Sequence, residues 1–511
     1  MSGRVHKSIL NAEVNLFFYF ISLVLSFFSR KIFLECLGAE FIGLIGTLTS
    51  ILGYLNLAEL GIGSCISFFL YKPLQANDQK EIQNILSVFG YLYKYVGIVV
   101  LILGSIVSIF FFLIFGSSNL SLGLIYFAFY SLLASSLIGY FINYQQILLS
   151  ADQKNYLIAI YVQSATIFKI LIQIYLAYYY KNLYTWIFIE FVFSLLACII
   201  INWKIKKEYP WLHTNKKEGK TLLKKYPTIL TNTRQIFIHK FKDVILMRSD
   251  EIFVFMFVSL KMVAYYGNYT LIISRIGQIF SAALDSINAG IGNLIAEGDK
   301  DNIMKVFWEM LTIRHFIAGF LCFVSLHLVE PFISIWLGTE YILSKDILLL
   351  LSIYVYISSS RGVVDMYNHA HGLYADTWAA WAELAINISI TFVAGYYWGI
   401  AGVLLGKVIS TTIIIILWKP YYLFTAGLHL KYKNYWSGAS RNFFASFVSI
   451  IITHHLISQL KISAYSNFYY WMLFSAIAIL IYLIVNLSMT MLICRGAKDC
   501  FNRISIILKR K

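Results

Sequence analysis

Apolar residues lie along this chain in long blocks, not in the period-two alternation of a half-buried strand or the narrow stripe of a surface helix. The blocks fall near 12–34, 41–70, 88–115, 121–149, 156–179, 184–203, 231–259, 264–296, 306–330, 341–373, 377–397, 400–424, 438–460 and 467–493. A helix needs about 20 apolar residues to cross a hydrocarbon layer, so the pattern predicts fourteen spans, of which 231–259 and 341–373 are the least regular because they carry charge. No stretch shows the short alternating segments of an outer-membrane barrel. The predicted fold class is therefore all-α integral membrane, with about 14 transmembrane helices. The first block follows Arg4 and Lys7, exceeds the core of a signal peptide and precedes no small-residue cleavage pattern, so it reads as a span.

Composition narrows the class further. The 511 residues are 59% hydrophobic and only 13% charged, whereas soluble chains carry about 25% charged residues. A soluble enzyme, a secreted disulfide scaffold and a disordered chain are excluded, because a soluble surface could not hide so much apolar side chain. The formal charge is +16. With the N-terminus placed in the cytoplasm, 29 Lys and Arg fall on inner segments. Six fall on outer ones: Arg30, Lys31, Lys181, Lys261, Lys345 and Lys461. This asymmetry predicts cytoplasmic termini. The connection from Lys204 to Lys242 is the most basic, and it reads as an inner-leaflet anchor in preference to a nucleic-acid site. Six cysteines, mostly inside apolar blocks and without a C-x-x-C pair, read as packing residues. Asp78–Tyr95 begins polar and carries Ile82, Ile85, Leu86 and Phe89 on one face, which predicts a stretch lying along the interface before it enters the bilayer. Asp299–Arg314 begins polar in the same way and also runs into a span.

The two halves echo each other. Ala76-Asn77-Asp78 with Ile82 matches Glu297-Gly298-Asp299 with Ile303, Gly46 matches Gly267, and Ala151-Asp152 matches Ala375-Asp376. Six spans return the chain to its starting side, so the repeats run parallel, as in transporters built from paired bundles around a central site. The predicted organisation is an N-lobe at 1–203, a basic linker at 204–230 and a C-lobe at 231–424. Spans thirteen and fourteen with a basic tail follow at 425–511.

Ionisable groups at membrane depth are costly and face a bundle interior or water. Arg361, Asp365 and His369 are each four apart and share a stripe. Arg275, Gln278, Asp285, Asn288 and Gly292 follow one face of the eighth span. The fifth carries Gln163, Thr166, Lys169 and Gln173, the second Asn56, Glu59 and Gly63, and the seventh His239, Asp243 and Asp250 near Arg248. These seams suit a hydrated cavity, although interhelical braces explain any single residue equally well. Arg30, Lys169, Arg248, Arg275, Arg361 and Lys407 give the seams a cationic bias that favours an anionic cargo, and arginine suits phosphate. Arg30, Lys169, Arg248, Arg275 and Arg361 are the substrate-path candidates, and Glu59, Asp285 and Asp365 the ion-coupling candidates.

Other constellations carry less. Asp299-x-Asp301 has the form of a metal-binding glycosyltransferase motif but sits at a helix start, and His369-x-His371 lacks an evident third ligand. No P-loop, nucleophile elbow or Ser/His/Asp grouping occurs, so no catalytic residue, metal or cofactor is expected. The tyrosines and phenylalanines, spread along every span, read as interfacial belts and lipid contacts.

Several short motifs resemble one family. They are Leu57-Ala58-Glu59-Leu60-Gly61-Ile62-Gly63-Ser64 followed by Tyr71-Lys72-Pro73-Leu74, and Tyr265-Tyr266-Gly267-Asn268-Tyr269. Ala289-Gly290-Ile291-Gly292-Asn293-Leu294 and Trp398-Gly399-Ile400-Ala401-Gly402-Val403 complete the set. In these the chain is similar to Wzx-type oligosaccharide flippases, the polysaccharide-synthesis family of the multidrug/oligosaccharidyl-lipid/polysaccharide exporter superfamily. The resemblance covers roughly 1–425. It implies two six-helix lobes in a V, a non-enzymatic transporter in the bacterial inner membrane, and O-antigen or other lipopolysaccharide biosynthesis. The implied cargo is an undecaprenyl-diphosphate-linked oligosaccharide with an anionic headgroup, moved by ion-coupled or gradient-assisted exchange without ATP. Membrane lipids, a polysaccharide polymerase and a chain-length regulator are the implied partners, and no nucleic acid is. The alternatives are a multidrug exporter of the same fold and an integral-membrane glycan polymerase or glycosyltransferase.

Overall fold

A computed structural model describes residues 2–59, 61–116, 118–285, 291, 294, 295, 297–373 and 375–509. Within helices, the side chains of 2–5, 8, 58, 64, 227, 230–232, 234–240, 243, 282–285 and 504–509 lie outside the description. Among the described residues the chain is all-helical. Helices satisfy their backbone groups internally, which a chain this apolar requires in lipid.

The order is α1 (Ser2–Leu37), α2 (Ala39–Leu55), a 3₁₀ turn (Asn56–Glu59), α3 (Ile62–Ala76), α4 (Gln79–Ile109), α5 (Leu122–Phe141), α6 (Asn155–Tyr180) and α7 (Leu183–Glu208). Then come α8 (Pro227–Phe257), α9 (Leu260–Asp285), α10 (Lys300–His327), α11 (Lys345–Ala370), α12 (Thr377–Gly427), α13 (Tyr432–Ser458), α14 (Phe468–Ile493) and α15 (Ala497–Lys509). Each predicted span lies mainly on helix among the described residues, with 286–290, 292, 293 and 296 of the eighth outside the description, and nine of the described helices are individually long and apolar enough to cross a membrane.

Two predicted spans share α12. The chain reverses at Gly399, whose φ of 54° and ψ of −126° are non-helical. The arms then run antiparallel: Asn387 Nδ2 donates to Ser410 Oγ and Thr391 Oγ1 to the Val403 carbonyl, both at 3.5 Å. A Cβ at Gly402 would overlap the Ala394 carbonyl, so the arms meet only because that position has no side chain.

The chain forms two compact units. Unit 1 is Met1–Phe255 with Ser259–Ala264, and unit 2 is Met256–Val258 with Tyr265–Lys511. The basic connection 204–230 lies wholly in unit 1, and α8 joins it as far as Phe255. Ser50 Oγ of α2 donates to Glu251 Oε2 of α8 at 2.5 Å, and Tyr54 OH donates to the Ile245 carbonyl at 3.3 Å. Both units bury apolar cores, with Phe41, Leu44, Phe89 and Phe129 in the first and Phe307, Leu311, Tyr367 and Phe424 in the second.

Their outer faces are apolar too. Phe17, Phe20, Val24 and Phe28 form an exposed stripe on α1, as do Phe443, Phe447 and Ile451 on α13. Meanwhile Gln173, Asp250, Glu309, Glu383 and Lys407 are buried. Polar residues inside and greasy stripes outside are the arrangement a bilayer selects.

The internal echo has a backbone counterpart. Asn77 and Gly298 both take positive φ, 53° and 78°, just before Asp78 and Asp299. Each aspartate then caps a helix. Asp78 accepts from Glu81 N, and Asp299 accepts from Asp301 N and Asn302 N. Asp299-x-Asp301 is thus a helix start. The matched pair Asp152 and Asp376 likewise each hold a lysine and an aromatic donor. Lys154 and Tyr209 bind the first, and Lys419 and Trp418 the second.

One expectation fails. Ile82, Ile85, Leu86 and Phe89 do not lie on an interface; they are buried within unit 1 by the packing of α4. Ordered chain from the basic connection covers the neighbouring face of α4, where Gln83 Nε2 donates to the Trp211 carbonyl at 2.6 Å and Asn215 N donates to Ser87 Oγ at 3.0 Å.

Candidate functional sites

The second predicted span is discontinuous. α2 ends at Leu55, the chain tightens into the 3₁₀ turn Asn56–Glu59, and α3 starts after Gly61 in the left-handed region at φ 89°. A side chain at Gly61 would be strained there. Interrupted spans with polar groups at the break are where transporters build ion and substrate sites. Here the break presents Asn56 and Glu59 to a cavity of about 340 Å³, also lined by Tyr93, Ser136, Tyr140, Tyr144 and Gln146. Tyr93 OH donates to Glu59 Oε1 at 2.5 Å. Asn56 Oδ1 accepts from Ser136 Oγ at 3.1 Å and from Tyr140 OH at 2.9 Å.

The remaining unit 1 candidates have separate settings. Lys169 Nζ of α6 pairs with Glu190 Oε1 of α7 at 2.6 Å. Gln173 Nε2 donates to the other oxygen of Glu190 at 3.1 Å. This part of the fifth-span seam is an interhelical brace. Arg30 Nη2 donates to the Ala264 carbonyl at 2.9 Å. Arg248 is exposed, with its guanidine end against Gly53. The side chains of His239 and Asp243 lie outside the described residues.

In unit 2, α11 is interrupted at Arg361, and Arg361 Nε pairs with Asp365 Oδ2 at 3.2 Å. Arg361 borders a cavity of about 270 Å³ lined by His315, Tyr356, Tyr435, Trp436 and Phe443 among others. This is an apolar chamber with one guanidinium, and Arg361 keeps 37% of its side chain exposed. His315 Nδ1 and Tyr356 OH lie 2.7 Å apart in a hydrogen bond. His369, expected on the same stripe, is exposed. Arg275 is half-buried on α9, Lys407 lies 4.5 Å from the Tyr354 ring centroid, and the side chain of Asp285 lies outside the described residues. The structure thus joins Arg361 to Asp365 directly and gives Glu59 and Arg361 cavities in different units.

Sequence reading missed several participants. Tyr93 and Tyr140 were indistinguishable from belt aromatics, although Tyr93 lies seven residues, two helical turns, after Leu86 on the face already named. Glu190 is the lone carboxylate of its block and faces Lys169 across a two-residue turn, a signal that could have been used. Glu309 is buried and takes a two-point contact from Arg503 of α15, with Nε–Oε2 at 2.8 Å and Nη2–Oε1 at 3.2 Å. Nothing local in the sequence announces that partner.

The basic connection is ordered by charge pairing. Asp152 accepts from Lys7 at 3.0 Å, Lys154 at 2.7 Å and Tyr209 at 2.8 Å, and Lys154 also pairs with Glu208 at 2.8 Å. Burial pushes the Asp152 carboxyl up, but the hydrogen bonds from Lys154, Lys7 and Tyr209 outweigh it and hold the group below its ordinary value. Lys216 donates to the Phe141 carbonyl at 2.7 Å and lies over the Tyr144 ring at 4.5 Å. Burial, with Lys94 nearby, lowers the Lys216 ammonium.

No family model matches the chain, and no curated protein does. Solved structures do. The lipid II flippase MurJ in an inward closed conformation is similar at a TM-score of 0.63 and 16% identity, over 94% of this chain and 99% of that one. The chain has a membrane-transporter fold. An inward-facing multidrug resistance MATE family transporter of the MOP superfamily is similar at a TM-score of 0.54 and 16% identity, over 80% of this chain and 95% of that one.

Proposed function

We propose that this protein is a secondary transporter that flips an undecaprenyl-diphosphate-linked oligosaccharide from the inner to the outer leaflet, a Wzx-type flippase. The observation that carries the reading is the fold shared with a lipid II flippase over 94% of this chain and 99% of that one. The likeness to the multidrug exporter covers 80% of this chain. The arginines within the predicted spans, Arg248, Arg275 and Arg361 among them, support the choice of an anionic cargo.

Dragging a bare diphosphate through hydrocarbon is prohibitive. A polar path with guanidinium groups removes that cost while the prenyl tail stays in lipid. In this reading Arg361, beside its apolar chamber, meets the diphosphate, and Arg30, Arg248 and Arg275 extend the path. Lys169 is the weakest candidate, because Glu190 already neutralises it. Glu59 and Asp365 remain the coupling carboxylates. The protein sits in the bacterial inner membrane with both termini in the cytoplasm.

Deletion of the gene should cause lipid-linked repeat units to accumulate on the cytoplasmic side and surface glycan to disappear. Repeat units still reaching the outer leaflet at the normal rate would overturn the proposal. If deletion instead raised sensitivity to organic cations with surface glycan intact, the multidrug reading would replace it.

A further inference from the structure

The cavity beside the broken second span differs in chemistry from the apolar chamber at Arg361. We propose that this unit 1 cavity is a carbohydrate subsite that takes one neutral pyranose ring. The inference rests on the glycan-cargo reading above and assigns a place in the chain where a sugar of that cargo is held.

The lining selects the class of ligand. Asn56, Asn143 and Gln146 bring amides, Ser136 and Ser150 bring hydroxyls, and Glu59 is the single carboxylate among the described lining residues. Amides both donate and accept, and a hydroxyl turns to do either. A sugar ring, with hydroxyls on most of its carbons, calls for that mixture. A prenyl or acyl chain would leave these groups without partners. A diphosphate would meet Glu59 with no lysine or arginine in the lining to offset the like charge. Small-molecule sites run from about 300 to 1,000 Å³. At about 340 Å³ the cavity suits one ring, not a whole repeat unit.

The receptor is built before a ligand arrives. Tyr93 OH is hydrogen-bonded to Glu59 Oε1, and Ser136 Oγ and Tyr140 OH to Asn56 Oδ1, so the carboxylate and the amide are held in place. The Tyr144 wall is fixed from behind by Thr214 Oγ1 of the basic connection at 2.7 Å. Gln146 is half-buried and makes no protein hydrogen bond among the described residues, which leaves its amide to the cavity. Gly139 of α5 adds room: a Cβ built there meets nothing within 4 Å, so the wall is bare backbone at that point. Ser150 lies two residues before Asp152, in the turn that the charge asymmetry predicts to be cytoplasmic, the side from which the cargo starts.

The test uses purified full-length protein in lipid nanodiscs and saturation-transfer NMR with methyl pyranosides of neutral hexoses, deoxyhexoses and N-acetylhexosamines. At least one pyranoside should bind, with a Kd on the order of 1 mM. Gly139→Leu fills the cavity without displacing a neighbour, and it should abolish the signal while thermal melting stays at the parent value. Gln146→Leu keeps the bulk and removes the amide, and it should weaken binding about fivefold. Inorganic phosphate and tetraphenylphosphonium should not displace the sugar. The proposal is overturned if no pyranoside binds, if binding survives Gly139→Leu, or if either ion displaces the sugar. Should Gly139→Leu fail to fold, Gln146→Leu decides, and an unchanged affinity there overturns the proposal. The assay holds no lipid-linked glycan, so its outcome is separate from that of the flipping reading. Sugar binding without flipping would leave the subsite and remove the cargo, and flipping without sugar binding would do the opposite.

Discussion

Replacing Arg361 by alanine separates a binding role from a bracing one. Its partner Asp365 is one helical turn away on α11, and the two side chains keep 37% and 30% of their surface exposed. A half-buried pair of this spacing is by itself worth about 0.3–0.5 kcal/mol. If binding rather than bracing is its role, the variant should reach the membrane in normal amount and melt within a degree or two of the parent. A guanidinium engaging a diphosphate makes charge-assisted bonds worth about 1.5–3 kcal/mol each. Losing one such bond should cut flipping by roughly ten- to a hundredfold. Complementation of a deletion strain reads the flux, and fluorescence-monitored gel filtration reads the fold. Normal glycan output from Arg361→Ala refutes the binding role, and loss of folded protein shows that the residue is a brace.

Three further outcomes follow from the geometry. Lys169→Met should destabilise unit 1 by roughly 1–3 kcal/mol by stranding Glu190, and the double change Lys169→Met with Glu190→Leu should recover much of the loss in thermal melts. If the two changes simply add, the pair is not the brace described here. Asp152 sits below its ordinary value, so its pairing stabilises the fold above the unfolded carboxylate pKa of about 3.9 and loses that contribution as pH falls through the lower folded value. Asp152→Asn should therefore melt earlier near neutral pH, with the gap to the parent closing only in strong acid; a gap that widens in acid would reverse the sign. Gly402→Val should prevent the two arms of α12 from closing and abolish folded protein, because a Cβ there overlaps the Ala394 carbonyl; a normally folded variant would contradict the close approach.

The architecture was largely legible because an apolar block of about 20 residues has few fates other than a membrane helix. Even the division of α12 at Gly399 was visible, since Trp398-Gly399 separates two such blocks. What composition could not separate was a face buried against protein from one lying on lipid. Ile82, Ile85, Leu86 and Phe89 are apolar in either setting, and their burial depends on neighbours distant in sequence. The candidate site was half legible for a related reason. Glu59 stands out as a carboxylate in an apolar block, whereas Tyr93 and Tyr140 acquire their role only when α4 and α5 bring them to the broken span. Lys169 was conspicuous as an intramembrane cation, but its charge is answered by Glu190 on the next helix.

The most direct measurement reconstitutes the purified full-length protein into liposomes holding a fluorescent undecaprenyl-diphosphate-linked oligosaccharide and follows its exposure to a membrane-impermeant quencher. Probe placed in one leaflet should become accessible from the other only when the protein is present, and much more slowly with Arg361→Ala. Equal rates in protein-free vesicles, or transport of an organic cation while the lipid-linked glycan stays in its leaflet, would contradict the proposed function.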